Sequence, residues 1–460
     1  MATSGTTVSG IPGFEGRLHA PGDAEYDVAR AVFNAMIDRR PAVVAVCSST
    51  ADVVAAVNYA RDEALPLSVY GGGHAVTGAA VCDDGVCLDL RGMKGIEVDP
   101  AARTARADAG LNWGEFDAAT QEHGLAVTGG RVPDTGIAGL ALGSGSGWLE
   151  RKLGFTCDNL LAAEVVTADG QVVTASATEN PDLFWGLRGG GGNFGVVTSF
   201  LLQLHPVGPI VLGGLLVWPA PMANDVARFW RDFMLSAPDE VGGALAFITA
   251  PPADFVPEPV RGHPILGCVV CYAGDVAEGE EVLRPLREFG PPPLDLLGPM
   301  PYTAVQDLIT EANPHGRRNY WSADFLDELS DEAIDTFVEH ATNPVSPFSQ
   351  MLVIPGGGAI ARVPEDATAF GARTAPFNTH FLSMWESEAD DEQNIAYTRA
   401  IAAAMKPWTS GRAYLNFIGD EGLHRIEASF GAEKYARLQE LKSKWDPNNL
   451  FSHNQNIKPA

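Results

Sequence analysis

The placing of the glycines constrains this chain more than any other feature of its sequence. The stretch Leu65-Pro66-Leu67-Ser68-Val69-Tyr70 reads as a strand, and it stops at once on Gly71-Gly72-Gly73-His74-Ala75-Val76-Thr77-Gly78. Glycines directly after a strand let successive backbone N–H groups approach a pyrophosphate with no Cβ in the way. Taken alone, such a run is equally a tight turn beside a surface histidine. A second block, Val132 to Leu149, carries Gly136, Gly139, Gly143, Gly145 and Gly147 in an otherwise apolar stretch. That density implies backbone packed against a flat or anionic ligand. The segment Gly143-Ser144-Gly145-Ser146-Gly147 lacks the G-x-G-x-x-G spacing, and no βαβ unit frames it, so a nicotinamide-dinucleotide loop is set aside. A third block, Arg151 to Leu160, leads into a hairpin.

Around these blocks the first half reads as alternating short elements. Ala42 to Val46 is a strand, Ser49 or Thr50 is placed to cap, and Ala51 to Ala64 has helical spacing. Short strands follow at Val86–Leu90, Gly95–Asp99 and Arg103–Asp108, with a helix over Asn112–Gly124. In Glu164–Ser176, alternating apolar residues flank Asp169-Gly170, a strong two-residue turn signal. The stretch Leu183 to Gly208 runs from a short helix through glycines into a strand. Between Pro206 and Pro209 the pattern changes to longer strands, such as Gly213–Pro219, Gly243–Ala250 and Ile265–Ala273, with amphipathic helices at Val226–Ala237 and Ser330–Ala341. The expected division is a first domain over 1–206, a second over 207–405, and a C-terminal segment over 406–460 that is polar and Asn-rich for the end of a core. There is no internal repeat. At 460 residues two domains are the ordinary outcome.

Composition excludes more than it selects. With 31 Lys+Arg against 58 Asp+Glu the net charge is −27, and such a surface repels phosphate backbones and anionic lipid, so no nucleic-acid or membrane partner is expected. No apolar run approaches the ~20 residues needed to span a bilayer. Residues 1–16 have neither a basic patch nor an apolar core of the secretory kind, which leads to the expectation of a cytoplasmic protein. Cys268 and Cys271 form C-x-x-C, but on what reads as a strand. Residues three apart on a strand point to opposite faces, so buried apolar thiols are expected rather than a redox or zinc pair.

The three glycine blocks, together with Phe184-Trp185-Gly186-Leu187-Arg188 and its following glycines, and the terminal Ser452-His453-Asn454-Gln455-Asn456-Ile457, resemble the berberine-bridge-enzyme-like FAD-linked oxidases of the vanillyl-alcohol-oxidase fold, and within them the bacterial 6-hydroxy-D-nicotine-oxidase-like subgroup. The resemblance covers nearly the whole chain. It implies an α+β architecture, with a two-part FAD-binding domain and an inserted substrate domain whose antiparallel sheet is backed by helices. His74 matches the histidine that family members attach to the flavin. Gly71, Gly72, Gly73, Ala75, Val76, Thr77 and Gly78, then Gly136, Gly139, Gly143, Ser146 and Gly147, then Gly195, Val196 and Val197, match backbone contacts to the cofactor. Asn159, Tyr414, Asn416, Asn454 and Asn456 match further contact segments. A covalent link raises the flavin's potential and eases hydride abstraction, while the protein orients and tunes the ring.

Departures from the family pattern narrow the reading. Many members carry a second, cysteinyl link at the position held here by Val132, so a single link through His74 is expected. Tyr70 replaces a usual basic residue. Thr135 occupies the position lining the oxygen-access side, and a small side chain there suits direct reaction with dioxygen. Leu352 lies on a strand where some relatives place a catalytic carboxylate. Tyr320 is a candidate pocket residue, His315 reads as solvated surface, and Tyr414 is the preferred acid–base group. The resemblance thus implies an oxidase that removes hydride from an alcohol or amine carbon of a small organic, natural-product-like substrate, with dioxygen as acceptor. The competing readings are a flavin-dependent oxygenase or cyclase acting on a polyketide-type intermediate, and a flavoprotein that sequesters a metabolite without turnover.

Overall fold

The computed structural model describes Val8 and residues 10–460 apart from 255 and 257, so half of the N-terminal stretch read above as lacking a secretory signal, residues 1–7 and 9, lies outside the described residues. In the first half, Val43–Val46, helix Thr50–Asp62 and Leu67–Tyr70 follow one another as the sequence pattern requires. Ser49 caps the helix, its Oγ accepting from the Asp52 amide at 3.3 Å. Strands Val43–Val46 and Leu67–Tyr70 both run parallel to Val86–Asp89, and Arg17–His19 adds an antiparallel edge. The second sheet is wholly antiparallel, in the order Ile96–Asp99, Thr104–Asp108, Val196–Gln203, Leu160–Val166 and Val172–Ser176. Helix Thr50–Asp62 touches strands of both sheets, because Val53, Ala56, Val57 and Ala60 recur at helical spacing and are all buried.

The second half is one eight-stranded antiparallel sheet. Its order is Leu294–Asp295, Ile210–Pro219, Pro264–Tyr272, Val241–Thr249, Gln350–Pro355, Phe377–Trp385 and Arg318–Leu326, with Gly298–Pro301 also paired to the 210–219 strand. The period of two sorts its side chains. Leu216, Trp218, Leu245, Phe247, Cys268, Met351, Val353 and Phe381 share a core with helices Ala223–Ser236, Val276–Glu288, Asp331–Ala341 and Asp391–Met405. Cys271 joins a different apolar cluster on the other side, and all six cysteines are free and buried.

From residue 413 the chain returns to the first half. Helices Leu423–Phe430 and Ala432–Trp445 are followed by an irregular tail, and Leu438, Leu441, Phe451 and Ile457 complete the first-half core. Lys442 and Asp446 form a fully buried pair at 2.6 Å. The ammonium also donates to Asn193 O and Phe451 O, which ties the returning tail to the glycine loop before Val196–Gln203. No helix among the described residues is long and apolar enough to cross a membrane.

Candidate active site

Between the two halves lies a cavity of about 1140 Å³. One wall is backbone. Gly71, Gly72, Gly73, His74, Ala75, Val76 and Thr77 line it from the turn after Leu67–Tyr70. Thr135, Gly136, Gly139, Gly143 and Ser146 line it from the second block, with Gly195, Val196 and Val197 beyond them and Asn416 and Asn454 from the returning tail. The first two blocks interlock: a Cβ on Gly72 would stand 2.3 Å from Gly136 N, and one on Gly136 would stand 2.5 Å from Gly72 N. Only glycine at both positions permits that approach. Gly143 instead faces the end of the Asn416 side chain, whose Nδ2 donates to Leu140 O at 3.2 Å.

His74 is held on two sides. Phe33 stacks on its ring at 4.9 Å, and Nε2 lies 3.2 Å from Asp134 Oδ1, out of line for a straight hydrogen bond. Asp134 Oδ2 in turn bonds His315 Nε2 at 2.7 Å. Burial pulls the Asp134 carboxyl upward, but the hydrogen bond from His315 and the close approach of His74 outweigh it and hold the group well below the usual carboxylate range. His315 is exposed, as solvated surface would be, yet it is anchored rather than free. Asn34 bolts this corner to the substrate domain, donating to Val76 O and Asn319 O and accepting from Asn319 N. Neither Asp134 nor Asn34 stands out in the sequence, because their partners lie far along the chain.

Several expected site residues fall elsewhere. Tyr414 is buried off the cavity, its hydroxyl accepting from Ser146 N at 2.8 Å and lying 3.1 Å from Ser144 Oγ. Burial pushes its phenol far above the ordinary value, and in this position it fastens the second glycine block. Tyr320 lies on the wrong face of its strand: its hydroxyl accepts from Arg399 Nε at 3.2 Å, while the neighbouring Trp321 lines the cavity. Asn159 spends its amide on Leu153 O, Phe155 O and His205. Gly78, Gly147 and Asn456 also lie outside the lining. The Tyr70 ring turns into the core, covered by Arg91 at 3.9 Å.

The opposite wall is the free face of the large sheet. Leu215, Ala246, Val269, Trp321, Leu352 and Leu382 present apolar side chains there. Arg131 lines the cavity beside them, paired with buried Glu150 at 3.1 Å and stacked near Trp148. His380, not singled out by the sequence, stands among the apolar residues.

The backbone wall fits FAD. Nothing stands within 4 Å of where a Cβ would project from Gly139 or Gly192, so both backbones face open space. Asn454 Oδ1 is a buried acceptor without a partner on the same wall. A mixed α/β cofactor domain joined to a separate antiparallel substrate sheet, with this cavity between them, defines an FAD-dependent oxidoreductase. Residues 41–176 match the FAD binding domain family and residues 413–458 the berberine and berberine-like family. The chain is 31% identical to the (R)-6-hydroxynicotine oxidase of Paenarthrobacter nicotinovorans, over 97% of each. It is 30% identical to an FAD-linked oxidoreductase of Dictyostelium discoideum, over 97% of this chain and 95% of the relative. The crystal structure of 6-hydroxy-D-nicotine oxidase from Arthrobacter nicotinovorans superposes with a TM-score of 0.87 at 28% identity, covering 97% of this chain and 98% of that one. The protein belongs to the berberine-bridge-enzyme-like FAD-linked oxidoreductases. These likenesses define the family and not one subgroup of it.

Proposed function

We propose that the protein is an oxidase whose FAD is held by a single covalent link through His74 and which takes hydride from an alcohol or amine carbon of a largely apolar organic substrate, with dioxygen as acceptor. The observation that carries this reading is the single cavity shared by the glycine wall and the apolar sheet face, with His74 between Phe33 and Asp134 on its rim. Val132 lines the cavity where a second link would form, and none of the six cysteines does, which supports one link. Bound flavin supplies the hydride acceptor. The chain's own part is to hold it through the backbone of Gly71–Thr77 and Gly136–Gly143, and to exclude water with the strand wall. Thr135 leaves space on the lining, which supports access by dioxygen.

Acid precipitation tests the link. Yellow colour is expected to stay with the chain, on a peptide containing His74 and no cysteinyl adduct, and His74→Ala is expected to release all of it. Flavin freed from the unmodified protein would refute the link. Peroxide formed on adding substrate tests the oxidase chemistry, whereas labelled oxygen recovered in product would mark an oxygenase.

A further inference from the structure

Arg317 lies just before the edge strand Arg318–Leu326 of the large sheet, where the chain docks on the first half. Gly316 N donates to Phe33 O at 3.2 Å, and Ala35 N donates to Arg317 O at 2.9 Å. Asn319 Nδ2 donates to the same carbonyl at 2.8 Å. The backbone of Arg317 is thereby fixed beside Phe33, the ring that stacks on His74. Its side chain lines the cavity, with the guanidinium carbon 3.7 Å from the centre of the Phe348 ring, which lines it too. Stacking covers the flat face of a guanidinium and leaves free the edge where its N–H groups lie. Nearby arginines are neutralised: Arg318 holds Asp391 through two nitrogens, and Arg131, the other arginine on the lining, pairs with Glu150. Among the described residues no acceptor meets the Arg317 guanidinium, and none of its nitrogens is sealed from solvent. In a chain with 58 Asp+Glu against 31 Lys+Arg, a cation left unpaired on a cavity wall is a local exception to the charge of the whole.

We propose that Arg317 is a specificity-determining residue of the substrate site, its guanidinium edge donating two hydrogen bonds to a carboxylate carried by an otherwise apolar substrate. The inference deepens the oxidase reading and rests on it for the location of the site. Two features supply the two halves of the substrate description. Leu215, Val269, Leu352 and Leu382 give the body of the ligand an apolar surface to lie on. The planar fork of the guanidinium matches the two oxygens of a carboxylate. An arginine keeps its charge throughout the working pH range and only donates, so its role in such a contact is fixed. The acidic surface repels an anion at long range, so any preference for one has to come from a local cation.

Calorimetric titration of the holoenzyme with 2-naphthoate and 2-naphthamide at pH 7 tests this. The two probes share a ring system and a shape and differ in charge. The unmodified protein is expected to bind the carboxylate about tenfold more tightly, the low end for hydrogen bonds to a charged group. That preference is expected to shrink as salt is raised, while the affinity for the amide stays constant. Arg317→Met keeps an apolar stem against Phe348 and is expected to bind the amide as before and the carboxylate no more tightly than the amide, with flavin content and thermal unfolding unchanged. Arg317→Lys keeps the charge without the fork and is expected to retain part of the preference. Equal affinity for the two probes, no binding of either, or a carboxylate preference that survives in Arg317→Met overturns the proposal. Peroxide measurement separates the two readings. A carboxylate preference lost in Arg317→Met, without peroxide from any carboxylate-bearing alcohol or amine, would leave the role of Arg317 standing and remove the oxidase. Peroxide formation together with equal affinity for the probes would do the reverse.

Discussion

The two walls of the cavity are made by opposite means. The cofactor wall is backbone: loops after short strands, brought so close at Gly72 and Gly136 that neither position has room for a methyl group. The substrate wall is side chain: every second residue of long antiparallel strands, carried on a sheet whose other face is packed against helices. A wall of backbone dictates residue type, because any Cβ would occupy the space the ligand or the facing loop needs. A wall of side chains dictates only polarity and approximate volume, because the strands hold their positions whichever apolar residue they carry. The first is therefore rigid in sequence as well as in space, and the second is where substrate choice is free to vary.

That contrast breaks most severely at Lys442. The buried pair with Asp446 braces the cofactor wall from behind through Asn193 O. Lys442→Met leaves a buried carboxylate uncompensated and is expected to cost about 3–5 kcal/mol, lowering thermal stability and flavin retention together. A loss below about 1 kcal/mol would show that the wall is braced elsewhere. One methyl group on each wall sharpens the comparison. Gly72→Ala drives a Cβ into the Gly136 backbone and is expected to cost about 1–3 kcal/mol or more, with flavin loading impaired. Gly267→Ala meets only the end of the Leu215 side chain, at 3.0 Å, and is expected to stay within about 1 kcal/mol of the unmodified protein in denaturant unfolding. Equal penalties at the two sites would remove the distinction.

The smallest effect on the rate of reaction is expected at Tyr414. Tyr414→Phe removes the bonds to Ser146 N and Ser144 Oγ and is expected to cost about 1–3 kcal/mol of stability. The rate of flavin reduction, followed by rapid mixing, is expected to change by less than about threefold. A loss of ~10²–10⁴-fold would return the phenol to the acid–base role that family resemblance implied for it.

The sequence by itself determined the elements and the backbone wall. Strand, turn and helix signals at Val43–Tyr70, the Asp169-Gly170 hairpin and the long strands after Ile210 are local, written in neighbouring residues, and the structure forms each of them. The glycine blocks are legible for the same reason, since a requirement on the backbone is met by a residue type at a fixed place. The substrate wall is only half local. Tyr320 was singled out as a pocket candidate, but which residues of Arg318–Leu326 face the cavity depended on where the helices packed, and Trp321 rather than Tyr320 came out on that side. Asp134 and His315 stand 181 residues apart in the chain and 2.7 Å apart in space. Tyr414 meets Ser146 across 268 residues, and His380 acquires its surroundings from Phe417 and Trp321. Such pairings are decided by the docking of one half on the other, which buries polar atoms according to what arrives opposite them, and no pattern within either segment encodes that arrival.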